Sequence, residues 1–416
     1  MARLAAAVPP AVREVCDTLT AAGFEAVTVG GAVRDVLLGR DGGDWDVATS
    51  AHPDEVVARF ARTIPTGMAH GTVTVIAGRG AHRMPIEVTT YRGDGAYVDG
   101  RRPTSVVFGV PLTEDLARRD LVVNAIAYDP VHARLIDPFD GRGDLAARRL
   151  RAVGDPAARF AEDGLRIMRA IRFAATLEFA LDPETTAAIP GALPSLAKVS
   201  RERVKVELDK LLGAPAPAAA LTIARTTGVL AQELPEATVD DAGWPARVGW
   251  LERAPVPARL AVLVAGGGDD DASAAAAERA LRRLKAANDE RDRAVRLVRL
   301  AHHADPTPRA VRRALARCGR PHAALAVALW RARGDAPPAV ADAGEAILAG
   351  GDALNAGELA LTGAALIAAL GLAPGPAVGR ALAACLEAVL DDPARNQPEA
   401  LVAIARAHLD GAAPPA

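Results

Sequence analysis

Strand signals in this sequence are confined to the first third of the chain, and this division constrains the fold more than any other feature. Short β-type runs occur at 24–29, 45–48, 71–77 and 85–91, and Gly, Pro or Asp bounds each of them. From Asp144 to the end the pattern is helical. The chain is therefore predicted to be α+β, with a small mixed or antiparallel sheet and a few helices first and all-α domains after it.

The composition supports a globular, mainly helical protein of more than one domain. A chain of 416 residues exceeds one ordinary domain, so two to four domains are expected. Half of the residues are apolar, which excludes a disordered chain, and much of that share is alanine, the strongest helix former. With only 7 Phe, 4 Trp and 3 Tyr, a module that binds RNA by stacking bases on aromatic rings is disfavoured.

Neither the cysteines nor the apolar segments indicate secretion or a membrane. Cys16, Cys318 and Cys385 are few and far apart, which fits a reducing cytoplasm and excludes a disulfide framework. The first residues do not form a signal-peptide pattern. The uncharged run 359–379 is interrupted by glycine and proline, so we expect two short helices around a turn there and no membrane span.

Two aspartates flank a tryptophan at Asp44-Trp45-Asp46. In a strand, alternate residues share a face, so both carboxylates would point one way and Trp45 the other. Carboxylates held that close repel each other unless a cation lies between them, and Mg²⁺ bridges such oxygens to substrate phosphates. The pair is a candidate magnesium site. Because a D-x-D motif is short and common, a polar turn with two exposed aspartates remains the alternative.

A diglycine turn precedes the aspartates. Val29 ends a strand candidate, Gly30-Gly31 follows, and a helix is predicted over 32–38. Glycines let a ligand approach the backbone, and Arg34, one turn into the helix, could contact the same anion. An ordinary strand-to-helix turn is the alternative. Neither a Rossmann nor a P-loop glycine motif occurs, and a phosphate turn beside paired carboxylates suggests nucleotidyl transfer.

These two segments, Gly30 to Asp35 and Asp44 to Thr49, closely resemble the first motif of class II tRNA nucleotidyltransferases, the CCA-adding enzymes of the polymerase-β superfamily. Further matches follow in that family's order, at 66–75, 86–92, 118–125, 137–141, 162–172 and 370–376. The resemblance is dense over 27–210 and thinner over 211–350. Each motif alone is weak, whereas all of them in order are highly specific.

The resemblance implies roles for several of these residues. Asp44 and Asp46 would bind the metal, and Glu87 would be a third catalytic carboxylate that polarises the attacking hydroxyl. Gly31, Arg34 and Arg119 would contact the incoming nucleotide, with Asp120 and Asn124 as hydrogen-bonding supports. Read without the resemblance, Glu87 is a solvent-facing strand residue and 118–120 a solvated charge cluster.

Asp163 and Arg166 would select the base. They are three residues apart, so on a helix they share a face, where a surface ion pair is the alternative. Cytosine and adenine both offer an amino donor beside a ring-nitrogen acceptor, which suits an aspartate beside an arginine. Uracil and guanine reverse both groups, at a cost of about 1–3 kcal/mol per contact. Arg169 and Arg172, further along, would contact the triphosphate.

The resemblance also implies a division of the chain: a nucleotidyltransferase head at 1–141, a helical neck at 142–213 that reads the base, and a helical body and tail at 214–335 and 336–416 that bind tRNA. The Gly-rich segment 92–103 matches a loop that the family associates with completing the switch from C to A addition. Its presence favours a complete CCA enzyme.

The expected reaction is Mg²⁺-dependent, template-independent addition of CCA to the 3′ end of tRNA, with CTP and ATP as substrates and pyrophosphate as product, in the cytoplasm. Three alternatives stay open. The first is narrower nucleotidyl transfer, by an A-adding enzyme, a CC-adding enzyme or a poly(A) polymerase. The second is a non-catalytic RNA-binding protein on the same scaffold. The third is a small-molecule nucleotidyltransferase, which would not need the long helical region.

The net charge of −2 conceals three different segments. Residues 1–141 carry net −4, residues 142–335 carry 32 basic against 24 acidic side chains, and residues 336–416 carry net −6. Seven arginines and no acid lie within 309–333. A basic middle segment suits contacts with phosphates, so the near-neutral total does not exclude a nucleic-acid partner.

Overall fold

The structure is a computed structural model that describes residues 2–94, 106–237, 239–266 and 270–411. The chain forms two compact units, 1–233 and 234–416. The expected α+β class is confirmed, since all strands lie in the first unit and the second unit's described residues are helices and connecting turns. The four-part division into head, neck, body and tail stays a prediction.

The strands of the first unit form one large sheet and two small pairs. They are β1 (Ala26–Val29), β2 (Asp46–Thr49), β3 (Thr63–Gly67), β4 (Thr72–Ala77), β5 (Met84–Thr90), β6 (Arg92–Asp94), β7 (Val106–Phe108), β8 (Ala127–Asp129), β9 (Arg134–Ile136), β10 (Arg149–Leu150) and β11 (Ala180–Leu181). The seven-stranded sheet has the order β3-β4-β5-β2-β1-β8-β9, and β2 and β5 are its parallel pair. A mixed sheet was expected. Strands β3, β8 and β9 were not.

Alternation of apolar and polar residues explains the central strands. In β4, Val73 and Val75 are fully buried, while Thr72 and Thr74 point to the opposite face. Hydroxyl pairs cross the strands on that second face, with Thr72 and Thr89 Oγ1 atoms 3.1 Å apart. One part of the sheet therefore combines a packed apolar face with a polar one.

The helices of the first unit are α1 (Ala2–Ala7), α2 (Pro10–Ala21), α3 (Gly31–Leu37), α4 (Pro53–Arg59), α5 (Leu112–Ala117), α6 (Gly141–Ala147), α7 (Pro156–Glu162), α8 (Leu165–Leu177), α9 (Pro183–Ala197), α10 (Arg201–Leu212), α11 (Pro217–Thr226) and α12 (Val229–Glu233). Helix α8 buries Ile167, Ala170 and Ile171 at helical spacing. Its arginines, spaced three apart from Arg166 to Arg172, form a half-buried stripe beside that apolar face.

The second unit consists of α13 (Trp244–Arg253), α14 (Val256–Val264), α15 (Asp270–Arg283), α16 (Asn288–Val298), α17 (Pro308–Cys318), α18 (Arg320–Ala332), α19 (Pro338–Gly350), α20 (Gly363–Leu370), α21 (Pro376–Asp391) and α22 (Pro398–Leu409). The uncharged run 359–379 contains α20, a turn and the start of α21, so two helices around a turn are confirmed. Among the described residues, no helix has both the length and the apolarity needed to cross a membrane.

Candidate active site

The sheet brings Asp46 and Glu87 together on neighbouring strands. Val47 of β2 is the partner of Val88 of β5 in parallel register. Asp46 and Glu87 directly precede these partners, and residues in register on adjacent strands point to the same face. The sequence-predicted third carboxylate therefore lies beside the second.

The charges of this site act on one another. Burial and the negative charges of Glu87 and Asp44 together raise the pKa of Asp46 to about 6, against the opposing positive charge of Arg119. The negative charges of Glu87 and Asp44 disfavour the ionised form of Asp46, and a divalent cation, which takes carboxylate oxygens as ligands, would offset that repulsion. Within the described ranges, however, no three acidic, His or Cys side chains are gathered closely enough to hold a metal ion.

Asp44 does not lie in the strand, which corrects the expectation that strand alternation sets its direction. Strand β2 begins at Asp46, and Asp44 is an exposed residue in the bend before it. Trp45 is buried, and an ideal Cβ on Gly42 would lie 2.8 Å from the indole. The chain folds back over the Trp45 ring here, so pairing with a neighbouring strand starts only at Asp46.

The diglycine turn leaves the sheet beside Asp46. Val29, the last residue of β1, pairs with Asp46, and Gly30 follows with φ 77° and ψ −135°. That conformation strongly favours glycine. A Cβ on Gly30 would lie 3.2 Å from Nη1 of Arg119, whereas one on Gly31 would make an ordinary 3.6 Å contact with Arg34. The sequence pointed to Gly31, but Gly30 is the position that requires glycine.

Arg119 lies at the same turn and is only partly neutralised. Its Nη2 is 3.4 Å from the Asp115 carboxylate, and its buried Nε has no hydrogen-bond partner in the described part of the chain. Asp115 is itself buried and also binds Nε of Arg118 at 3.2 Å. Asp115 was not among the residues predicted from the sequence. Its spacing of four from Arg119 was the available signal, although α5 already ends at Ala117.

A buried network links α3 and the segment after α5 to α8. Nη1 of Arg34 donates to Asn124 Oδ1 at 2.5 Å, and Asn124 Nδ2 donates to Asp120 Oδ1 at 3.0 Å. Arg169 donates to Asp120 Oδ2 at 2.7 Å. Burial alone would raise the pKa of Asp120, but the charge of Arg169 and hydrogen bonds from Asn124, Arg169 and the Leu121 amide lower it to about 2. Asp120 and Asn124 are thus hydrogen-bonding supports, as expected.

The expected helical pair of Asp163 and Arg166 is not on one helix, so the shared-face argument was wrong. Helix α7 ends at Glu162, and Asp163 is extended before α8 begins at Leu165. The break occurs at Gly164, where a Cβ would meet the backbone of Ser195 and Leu196 at 2.3 Å. The two residues are still adjacent, because the Arg166 N–H donates to the Asp163 carbonyl at 3.0 Å.

Both side chains of this pair are already held by other groups. Asp163 Oδ2 accepts from Arg203 at 2.9 Å, and its Oδ1 accepts the Leu165 N–H at 3.0 Å. Arg166 forms an ion pair with Glu162 and donates to the Arg118 carbonyl at 2.9 Å. Their orientation is therefore fixed by neighbours.

Three arginines surround one aromatic ring. The guanidinium carbon of Arg172 lies 3.9 Å from the centroid of Phe173, and those of Arg34 and Arg169 lie at 5.0 and 5.6 Å. Arg172 also pairs with Glu207 at 2.5 Å. The structure thus collects three of the predicted nucleotide-binding arginines around Phe173, a residue that the sequence did not single out.

Most of the Gly-rich segment 92–103 lies outside the described residues, from residue 95 onward. At its beginning, the Arg92 N–H donates to the Asp115 carboxylate at 3.3 Å. The segment thus starts beside the carboxylate that also holds Arg118 and Arg119.

Three family models match this chain. A "Poly A polymerase head domain" matches 26–151, a "Probable RNA and SrmB- binding site of polymerase A" matches 178–240, and a "tRNA nucleotidyltransferase domain 2 putative" matches 271–405. Together these matches extend over most of both compact units.

Two similar proteins are named CCA-adding enzymes. The one from Levilactobacillus brevis is 48% identical over 217 residues, 52% of this chain and 53% of that protein. The one from Geobacillus stearothermophilus is 51% identical over 207 residues, 50% of each chain. The matched part thus spans about half the length of these curated relatives.

Solved structures resemble nearly the whole chain. A Bacillus stearothermophilus CCA-adding enzyme in complex with CTP has a TM-score of 0.76 at 35% identity, with 96% of both chains covered. A Thermotoga maritima CCA-adding enzyme complexed with tRNA has a TM-score of 0.70 at 19% identity, which concerns the fold alone.

Proposed function

The chain belongs to the family of CCA-adding enzymes, and we propose that it adds CCA to the 3′ end of tRNA, using CTP and ATP without a nucleic-acid template. Similarity over 96% of a CCA-adding enzyme that was solved with CTP supports this proposal. The shorter matches to two curated CCA-adding enzymes agree with it.

The observation that carries the proposal is the pairing of Asp46 with Glu87 next to the Gly30 turn. The β2–β5 register places these carboxylates side by side, and the β1–β2 register places the turn at the same end of the strands. Arg119, with one guanidinium nitrogen unbonded in the described part of the chain, adds positive charge there. Nucleotidyl transfer needs carboxylates that bind a metal ion and, beside them, a positively charged side chain that binds phosphates.

Asp44 and Asp46 are the residues that would hold Mg²⁺, and the family generally uses divalent ions. A bound Mg²⁺ would supply charge neutralisation of the triphosphate and a lower pKa for the attacking hydroxyl. The mutual repulsion around Asp46 supports this assignment. Glu87 would accept a hydrogen bond from the attacking 3′-hydroxyl and orient it.

In the proposed reaction the terminal 3′-oxygen of tRNA forms a bond to the α-phosphorus, and the bond from that phosphorus to the bridging oxygen breaks, so that pyrophosphate leaves. Arg34, Arg119, Arg169 and Arg172 would bind the triphosphate. Asp163 and Arg166 would accept cytosine and adenine and reject uracil and guanine. The α-carbon of Gly31 would leave room for the phosphates at the turn.

We propose the same division of labour that the sequence predicts. The head at 1–141 catalyses, the neck at 142–213 reads the base, and the body and tail at 214–335 and 336–416 bind tRNA. Matches to a polymerase head model over 26–151 and to an RNA-binding model over 178–240 support the first half of this division. Three free, buried cysteines support a cytoplasmic location.

The test is incubation with tRNA that ends before CCA, with CTP alone, ATP alone or both, followed by sequencing of the product. The proposal expects CC from CTP alone and CCA from both. Three other products would each replace the proposal with a narrower activity. They are tRNA that stops at CC when both nucleotides are present, addition of a single A that occurs only on tRNA ending in CC, and a long A tail. Absence of any product would reject it.

A further inference from the structure

We propose that Arg203 is a positioning residue for base selection, acting through Asp163. This inference rests on the proposed function, because it assigns the origin of the preference for C and A. Arg203 lies on α10, forty positions after Asp163, and its Nη2 donates to Asp163 Oδ2 at 2.9 Å. No sequence motif marked it.

The Asp163 carboxylate is fixed by two donors of different kinds. Oδ2 accepts from the Arg203 guanidinium, and Oδ1 accepts the Leu165 N–H at 3.0 Å. Each carboxylate oxygen has two acceptor sites, so each keeps one for a ligand. Two bonds, one to each oxygen, set the plane of the group and the direction of the free sites.

Discrimination between the bases requires a fixed orientation of the Asp163 carboxylate. An amino group of cytosine or adenine donates to a carboxylate in any accessible orientation, but a carbonyl of uracil or guanine is rejected only while the carboxylate faces it. A carboxylate that can rotate about its Cβ–Cγ bond turns away from the carbonyl and relieves the repulsion. Arg203 prevents that rotation, so its loss should affect rejection of the wrong bases more than acceptance of the right ones.

Arg166, the other member of the proposed base-selecting pair, is held by different residues. Arg166 is paired with Glu162 and donates to the Arg118 carbonyl at 2.9 Å, and its side chain is only 11% exposed. Asp163 and Arg203 are more accessible, at 24% and 39%. The orientation of the Asp163 side chain therefore depends on Arg203, whereas the orientation of Arg166 does not.

Helix α10 supplies a matched control. Arg201 lies two residues before Arg203, is 30% exposed, and pairs with Glu233. Glu233 is buried, so loss of Arg201 disturbs the fold more than loss of Arg203, whose partner Asp163 is 24% exposed. Replacing Arg201 with methionine therefore controls for the general effect of losing an ion pair from α10 without touching Asp163.

The experiment measures single-turnover, template-independent incorporation of C, A, U and G. The substrates are tRNA that ends before CCA and tRNA that ends in CC. Arg203→Met should lower the preference for C and A over U and G by about tenfold, which is roughly 1.4 kcal/mol. Rates for CTP and ATP should change by much less. Arg201→Met should keep the wild-type preference. Arg203→Lys, which keeps the charge without the planar fork, should fall between the two.

A double variant shows whether Arg203 acts through Asp163. In an Asp163→Ala background, Arg203→Met should cause no further loss of preference, since there is no carboxylate left to orient. Unchanged preference in Arg203→Met and Arg203→Lys, or a further loss in the double variant, would overturn the inference. Wild-type protein that adds neither C nor A would instead reject the proposed function itself, so the two failures are distinguishable.

Discussion

At Gly30 the backbone leaves β1 with φ 77° and ψ −135°, in contact range of Arg119. Gly31 is the first residue of α3 and has room for a methyl group. The two adjacent glycines therefore serve different purposes. Gly30 is needed for the backbone to turn, and Gly31 is available for close approach of a phosphate.

Alanine at each position should separate these purposes. Gly30→Ala should lower the free energy of unfolding by about 1–3 kcal/mol, because alanine is strained in that conformation. Gly31→Ala should leave the stability unchanged and raise the KM for CTP and ATP, because its methyl group occupies the space for the phosphates. Denaturant unfolding and steady-state kinetics measure the two effects. A normal KM for Gly31→Ala would remove Gly31 from the nucleotide site.

Single site residues were predictable where a local sequence motif places the relevant side chains close together in the chain. Asp46 was predicted from a local motif, and Glu87 from a strand pattern together with the family's motif order. Asp115 and Arg203 were not identified, because an isolated charged residue carries no local sign of its partner. The partner of Arg203 lies forty positions away, and only the packing of α10 against α8 makes it a neighbour.

At the scale of elements, the contacts that α3 and the segment after α5 make with α8 decide where the site arginines lie. The Asp120–Arg169 pair joins the segment after α5 to α8, and Phe173 contacts arginines from both α3 and α8. Asp120 is buried, yet its pKa is lowered to about 2. The folded protein therefore favours the ionised form of Asp120.

This pair should make stability depend on pH in acid. Because the folded pKa of about 2 is below the ordinary value of 3.8, the ionised carboxylate stabilises the fold above about pH 4. That contribution, about 2 kcal/mol, is lost as the pH falls from about 4 towards 2. Urea unfolding of wild type and Asp120→Asn over this range should show a stability difference that shrinks with falling pH. A constant difference would contradict the assignment.

Exposed Asp41 provides the comparison for that experiment. Asp41→Asn also removes one carboxylate from the same unit, but one that is exposed to solvent, so it controls for the loss of an acidic side chain as such. Its stability should follow that of the wild type at every pH.

Helix and strand positions followed from the sequence better than their ends did. The runs 71–77 and 85–91 became β4 and β5 almost unchanged, because alternating burial determines a strand. The end of α7 at Glu162 was missed, because it depends on the backbone of Ser195 and Leu196 packing against Gly164. A contact of that kind, more than thirty residues away in sequence, leaves no periodic signal.

For the whole molecule, the structure changes what the basic middle segment means. Six of the seven arginines within 309–333 pair with carboxylates, and these are Arg309, Arg312, Arg313, Arg320, Arg331 and Arg333. Five of the six have partners in the acidic segment 336–416. The excess of positive charge that composition suggested for phosphate contacts is thus largely compensated within the second unit.

Two arginines of α17 should therefore behave differently when replaced. Arg312 is buried, pairs with Asp352 at 2.9 Å and donates to the Leu390 carbonyl at 2.6 Å. Arg312→Ala should lower the free energy of unfolding by about 3 kcal/mol, because it leaves buried acceptors unpaired. Arg317 is exposed, and no carboxylate pairs with it among the described residues. Arg317→Ala should leave stability unchanged.

Binding of tRNA gives the second readout for this pair. If Arg317 contacts a phosphate, Arg317→Ala should reduce the slope of log Kd against log salt concentration by about 1. Two results would contradict this division between an arginine that stabilises the fold and one that is available to tRNA. They are a reduced salt slope for fully folded Arg312→Ala protein and a loss of stability in Arg317→Ala.

The most direct test of the account is the 3′-terminal sequence of tRNA after incubation with CTP, ATP and Mg²⁺. Wild-type protein and the Asp41→Asn control should both produce tRNA ending in CCA. Asp46→Asn should bind tRNA with similar affinity and add no nucleotide, because the carboxylate beside Glu87 is lost. CCA addition by Asp46→Asn at the wild-type rate would show that this carboxylate pair is not the reaction centre.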